Sequence, residues 1–433
     1  MNWKKEYKKL ILIIVIFLAA FYLPIGNSRF TLAIYEALSL VKWYAREHVL
    51  LCLVPAFFIA GVISVFVSQN AVIKYLGASA KKWIAYAVAS VSGTILAVCS
   101  CTVLPLFSGI HKRGAGLGPA IAFLYSGPAI NILAIILTAR ILGTELGIAR
   151  VVGAVLFSVV IGYTMHLIYR KEEQAKAEAQ LAIPEPEESR PIWQTAIHFF
   201  TLVMILIFVN WGRPDTDNGI WHFIYSNKWL ITGIFGFGLV LSLIYIVKIK
   251  LAHVITAVIP VITLALFFPS NPIIAFSAAV IALSVLLSNT EGEASEWMSA
   301  SWGFAKQILP LLGIGVLIAG FLLGGPENGQ GIIPNRWISS LVGGNSLFAN
   351  FFASIAGAFM YFATLTEVPI LQGLIANGMG KGPALALLLA GPALSLPNML
   401  VIRGVIGTQK TVVYVSLVIV MATISGWVYG ELF

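Results

Sequence analysis

The chain has 433 residues, of which 59% are hydrophobic and only 10% charged, against about 25% charged residues in ordinary soluble domains. A soluble core of this size would need a polar surface that the sequence does not supply, so the composition points to an all-α polytopic membrane protein whose first partner is the lipid bilayer. The net charge of +9 sits mostly in short connections between apolar runs, where Lys and Arg set orientation, and it is not the footprint of a nucleic-acid binder.

In chain order, MNWKKEYKKL precedes the apolar run ILIIVIFLAAFYLPIG with no convincing small-residue cleavage site. This predicts a retained first span with a cytoplasmic N-terminus and, with an interfacial segment, accounts for residues 1–40. Further spans are expected near 47–68, 117–142, 147–169, 194–211, 229–247, 252–268, 272–288, 304–323, 382–403 and 411–430, giving about 11 full spans. Two more apolar stretches, 84–112 and 347–377, are interrupted in the middle. The hydrophilic segment RKEEQAKAEAQLAIPEPEESRP, residues 170–191, reads as a solvated linker through its charge and its Pro-Glu-Pro core.

The two halves resemble each other. PLFSGIHKRGAGLGPAIAFLYSGPA from Pro105 aligns without a gap on PILQGLIANGMGKGPALALLLAGPA from Pro369, an offset of 264 residues. ASVSG (89–93) meets ASIAG (353–357) at the same offset, and Trp43, Ala60 and Gly61 match Trp302, Ala319 and Gly320 at 259. The implied organisation is a first repeat at 41–169 with its hairpin at 84–112, a cytoplasmic linker at 170–192, connecting spans at 193–298, and a second repeat at 299–433 with its hairpin at 347–377. If both interrupted stretches enter and return as hairpins, Lys74, Lys81, Lys82, Lys112, Arg113, Arg170, Lys171, Lys248, Lys250, Arg403 and Lys410 all face the cytoplasm. The repeats are then inverted, with broken or re-entrant helical hairpins.

Inverted repeats with interrupted segments are the mark of secondary transporters, whose substrate sites lie where the broken helices meet. Pro105 and Pro369 each suit the first turn of a new half-helix, with Thr102 and Thr366 as caps. YSGPAIN (125–131) and AGPALSLPN (390–398) break the following spans at Gly127, Pro128, Gly391 and Pro392. The four breaks could converge on a substrate pocket lined by Thr102, Ser126, Asn131, Thr366, Ser395 and Asn398; the alternative is that these small residues only let helices pack closely.

Two departures from the repeat matter most. Cys99 and Cys101 stand opposite Ala363 and Leu365. Two residues apart on a continuous helix they would diverge, but across a break both thiols could face one soft metal or metalloid. Glu367 stands opposite Val103, and an ionisable group inside an apolar segment marks an ion or substrate path. It is read as a proton-coupling carboxylate, while its place in the first turn of a half-helix would also suit the helix dipole. Glu145, Glu47 and Glu36 are read as edge residues. His166, His198 and His253 lie singly on apolar spans and are read as satisfied or interface histidines.

The run CSCTVLPLFSGIHKRGAGLGPAIAFLYSGPAINILAI resembles the signature of the predicted permease family that includes the bacterial organoarsenical efflux permeases, over about Val41 to Arg170 and from Ser301 to the end. The resemblance implies a multi-pass permease of the prokaryotic inner membrane, with Cys99 and Cys101 as metalloid-facing thiols. The expected function is secondary-active efflux of a soft, thiol-reactive solute such as a trivalent organoarsenical, proton-coupled through Glu367. Export of Cu, Zn or another soft metal is the alternative within transport, and a channel or a membrane thiol oxidoreductase the alternatives outside it. The C-x-C spacing and the lack of a nearby base or cofactor motif argue against the oxidoreductase; with no Walker pattern, neither a cofactor nor direct ATP drive is expected.

Overall fold

The computed structural model describes residues 3–66, 81–96, 100–181, 191–212, 219–324, 331–333, 341–360, 367–376 and 378–433. It is 85% helical with no strand among the described residues, as an all-α membrane protein requires. Helix α1 covers Trp3–Phe21. The Asn27 side chain accepts the Arg29 N–H at 3.0 Å and caps α2 (Ser28–Tyr44), which continues through a wider-turned π segment, Ala45–Leu53, into α3 (Val54–Phe66). Together they form a 39-residue rod from Ser28 to Phe66.

The first interrupted stretch holds α4 (Lys82–Leu96) and α5 (Ser100–Lys112). Then come α6 (Leu117–Ala129), α7 (Ile132–Ile141), α8 (Thr144–Ile168) and α9 (Arg170–Leu181). The middle of the chain supplies α10 (Ile192–Val209), α11 (Ile220–Ser226), α12 (Lys228–Tyr245), α13 (Leu251–Phe267) and α14 (Pro272–Ser288). After the long α15 (Glu293–Leu323) come α16 (Leu347–Phe359), α17 (Glu367–Ala376), α18 (Lys381–Leu394), α19 (Leu396–Ile406) and α20 (Thr408–Leu432).

Among the described residues five helices are long and apolar enough to cross a membrane, and α18 with α19, bent by 47° at Ser395, are together long and apolar enough for a sixth. The spans expected at 117–142 and 382–403 are therefore each two helices. The first breaks at Ile130 and Asn131, two to three residues after Pro128; the second breaks at Ser395, where Pro397 opens the next helix in its first turn without sacrificing a hydrogen bond.

Side-chain contacts fix which helix ends lie together. At one end of the bundle Lys410, opening α20, meets Glu172 of α9 at 2.6 Å, and Glu173 Oε2 accepts the Leu117 N–H that opens α6 at 2.7 Å. Lys82, opening α4, lies over the Tyr163 ring near the close of α8. Lys112, closing α5, donates to Gln307 Oε1 at 3.4 Å, and the same amide donates to the Gly404 carbonyl of α19 at 3.1 Å. At the other end Lys381, opening α18, pairs with Glu145 of α8 at 3.5 Å and donates to the Phe433 carbonyl at 3.4 Å. Asn345, just before α16, donates to Trp427 and Glu431 of α20, and a backbone bridge joins Gly343 to Met379 beyond α17. Helices α8 and α20 thus run antiparallel. The α4–α5 segment starts and finishes at the first end, the α16–α17 segment at the second.

Helices α8 and α20 are both 25 residues long, with starts and finishes 264 apart. Close packing repeats at the same offset. Gly118 and Gly162 bring α6 against α8 beside Tyr86 of α4, and Gly382 and Gly426 bring α18 against α20 beside Asn350 of α16. A Cβ at Gly162 or Gly426 would stand 2.6 Å from the carbonyl of Gly118 or Gly382 respectively, so only glycine permits these approaches. A hydroxyl pair fastens each set as well, Ser158 to Ser90 at 2.8 Å and Thr423 to Ser354 at 3.1 Å.

Helices α3 and α15 lie against each other, fastened by fully buried Trp297, whose Nε1 donates to the Phe58 carbonyl at 2.8 Å. Helices α12 and α13 instead turn Leu230, Ile234, Phe237, Ile255, Ile259 and Leu266 outward; an apolar exterior of this kind belongs in lipid. The charged segment is more than a connection, because α9 buries Glu173 and pairs Glu172; residues 182–190 lie outside the described residues.

Candidate functional site

Helices flanking the expected breaks pack on one another across the two halves. Helix α5 packs on α19, α17 on α7, and α6 on α18, so each hairpin arm rests on the other half's broken span. At the crossing lies an ion pair: Arg150 of α8 meets Glu367, the first residue of α17. Their side chains are 0% and 1% exposed. A charge in such surroundings persists only when paired and hydrogen-bonded.

Arg150 is held on three sides. Its Nε donates to the Ala129 carbonyl at 3.0 Å, the last residue of α6, and its Nη1 to Thr138 Oγ1 of α7 at 3.0 Å. The Thr138 hydroxyl donates its own proton to the Ala134 carbonyl at 2.6 Å, which leaves a lone pair for the guanidinium. Nη2 then points to Glu367. The carbonyl that Arg150 engages is freed by the helix ending at Ala129, so the break and the cation satisfy each other. Glu367 in turn sits at a helix N-terminus, where the dipole favours a carboxylate. Tyr125 of α6 lies within electrostatic range of Arg150, and Tyr414 of α20 within range of Tyr125; both hydroxyls are buried without a hydrogen-bond partner.

The residues expected to form the pocket fare differently. Cys99 and Thr366 lie outside the described residues. Cys101 is in the first turn of α5, followed by buried Thr102. Because α5 is helical from Ser100 onward, Thr102 lies inside the helix and is not its cap, and Pro105 falls in the second turn, where it was expected in the first. Pro369 does occupy the first turn of α17. Gly127 and Pro128, like Gly391 and Pro392, fall in the last turns of α6 and α18, just ahead of the breaks. Ser126 is tied to packing, its hydroxyl donating to the Ala89 carbonyl of α4 at 3.1 Å. Asn131, Ser395 and Asn398 are buried at or beside the breaks, and Ser395 Oγ and Asn398 Oδ1 have no hydrogen-bond partner. Glu36, read as an edge residue, is buried within α2. His198 contacts Ser242 at 2.8 Å. No group of three or more metal-ligating side chains gathers among the described residues.

Sequence reasoning missed Arg150, Thr138, Tyr125 and Tyr414. The available signal was the sequence match between the halves: the position 264 residues after Arg150 is Tyr414, so the match is broken there by a charge, as it is at Glu367.

Comparison with known proteins supplies the family. The model of the predicted permease family ArsP_1 matches residues 34–431. The chain is 41% identical over 389 residues to the UPF0718 protein MJ0584 of Methanocaldococcus jannaschii, covering 89% of this chain and 93% of that one. It is 20% identical over 308 residues to the UPF0718 protein YraQ of Escherichia coli K12, covering 71% of this chain and 56% of that one. No solved structure matches. With a family match running from residue 34 to residue 431 and its apolar, lipid-facing helices, the chain belongs to this predicted permease family and is a multi-pass membrane protein.

Proposed function

We propose that the protein is an inverted-repeat, secondary-active permease of the prokaryotic inner membrane that exports a soft, thiol-reactive solute such as a trivalent organoarsenical. Cys99 and Cys101 are its thiol ligands, and Glu367 couples export to protons. The observation that carries the reading is the buried Arg150–Glu367 pair, in which α8 of the first half, bonded to α6 and α7 on either side of their break, meets α17 of the second. An ion pair placed between two moving halves, one member able to take a proton, is what coupled transport needs. The antiparallel course of α8 and α20 at constant offset supports the inverted repeat. The clustering of Lys82, Lys112 and Lys410 at one end of the bundle supports assigning that end to the cytoplasm, and the N-terminus is assigned there with it.

The test is methylarsenite accumulation by everted membrane vesicles under an imposed proton gradient. Cys99→Ser and Cys101→Ser are expected to abolish uptake, and Glu367→Gln to leave a slow uptake that no longer responds to the gradient. Absence of uptake by the wild type would remove the organoarsenical cargo, and full gradient dependence in Glu367→Gln would remove its role as proton carrier.

A further inference from the structure

Arginine does not give up its proton in proteins, whereas a carboxylate can take one. If Glu367 is protonated, the Arg150 guanidinium is left buried with a full positive charge, a state that costs several kcal/mol unless another anion arrives. Among the described residues, Arg150 meets the Ala129 carbonyl of α6 and Thr138 of α7 and lies in electrostatic range of Tyr125 of α6, which in turn lies in range of Tyr414 of α20. None of these is anionic at neutral pH. Lys381 of α18 pairs with Glu145 at the exposed end of the bundle, away from the buried pair.

We propose that Arg150 is the cargo's polar anchor, and that the site takes a weak oxyacid, a small molecule whose central atom carries at least one –OH. The acid's O–H bond breaks, its proton passes to the Glu367 carboxylate, and the resulting oxyanion replaces that carboxylate on Arg150 Nη2. Atoms and charge balance: a neutral acid and an ion pair become a neutral carboxylic acid and a new ion pair. Arg150 Nε and Nη1 keep their bonds to the Ala129 carbonyl and Thr138, so the oxyanion is held through Nη2, and the Tyr125 hydroxyl, buried with no hydrogen-bond partner among the described residues, supplies a further donor. Proton and oxyanion bind together because each stabilises the other's site, so their affinities are reciprocally linked. A bare metal cation gains nothing here. The inference rests on the permease reading and narrows its cargo from soft solutes in general to those that keep one hydroxyl on the central atom when a single thiol displaces another as water.

Calorimetric titration of the full-length protein in detergent tests it, with methylarsenite as the oxyacid probe and Cd²⁺ as a thiol-seeking cation without an acidic proton. The double variant Arg150→Gln/Glu367→Gln should bind methylarsenite at least tenfold more weakly, and Tyr125→Phe severalfold more weakly, while both hold Cd²⁺ within twofold of wild type. Equal losses for the two probes mean a purely structural role and overturn the anchor. Methylarsenite affinity unchanged in both variants overturns the anchor and leaves the permease standing. Failure of the wild type to bind methylarsenite overturns the anchor and the organoarsenical cargo together.

Discussion

Arg150 and Tyr414 stand 264 residues apart, each the seventh residue of a 25-residue helix, and each lies buried within electrostatic range of Tyr125. Six residues in from its start, Arg150 is about 9 Å along α8, too deep for a short-range contact with the surface. The two halves are therefore chemically unlike at this point: the first carries the cation, and the second brings the carboxylate through α17.

That asymmetry predicts a non-additive stability series. Arg150→Met leaves Glu367 buried without its cation and should destabilise by about 3–5 kcal/mol. Arg150→Met with Glu367→Gln removes both charges and should recover much of that loss. Thermal unfolding in detergent measures both, and a double variant no more stable than the single would show that the pair is not the dominant partner of either residue.

A second prediction concerns α9. Glu173 reaches from the charged segment to the Leu117 N–H at 2.7 Å, satisfying an orphan donor at a helix start whose neighbour Gly116 offers no side chain. Glu173→Ala should cost about 1–2 kcal/mol, as loss of a buried cap does. Glu172→Ala, which removes a half-exposed partner of Lys410, should cost under about 1 kcal/mol and lose its effect at high salt. The ordering of the two midpoints, read with and without 0.5 M salt (a concentration well into the screened regime,), checks it.

The glycine contacts give a third. Gly162→Ala and Gly426→Ala each push a methyl group against a backbone carbonyl that stands 2.6 Å from the new carbon. Each should destabilise by about 1–3 kcal/mol, whereas Gly233→Ala on α12, with open space around it, should be neutral or slightly stabilising. Parallel unfolding curves of the three variants decide it, and equal midpoints would contradict the close packing.

A fourth follows from the hydroxyl that orients the cation. Thr138→Val keeps the shape of the side chain but leaves Arg150 Nη1 without its acceptor, at about 1–3 kcal/mol. Thr138→Ser should restore stability to within about 0.5 kcal/mol of wild type. A Val variant as stable as Ser would mean that Nη1 finds another acceptor.

Much of this was legible in the sequence and some of it could not be. The duplication was visible because glycine and proline positions survive where packing and chain breaks demand them, as at Gly118 and Gly382 or Pro128 and Pro392. Glu367 stood out because a carboxylate in an apolar run has few explanations. Arg150 did not, since an arginine a few turns into a span reads like an interfacial anchor that could reach back to water. Only the fold shows its side chain turned inward to a residue 217 positions later. Thr102 and Pro105 were misjudged for a simpler reason: the break was placed at the cysteine motif, whereas the helix already begins at Ser100.

The distance in sequence between Arg150 and Glu367 also has a consequence for how the protein is made. The first half emerges and enters the bilayer before the carboxylate that neutralises its cation has been synthesised. Up to that moment α8 carries a guanidinium that must stay near water, or near some temporary partner, and it settles inward only when α17 arrives. The first half of this permease is thus not a finished module awaiting a copy of itself; the second half completes it.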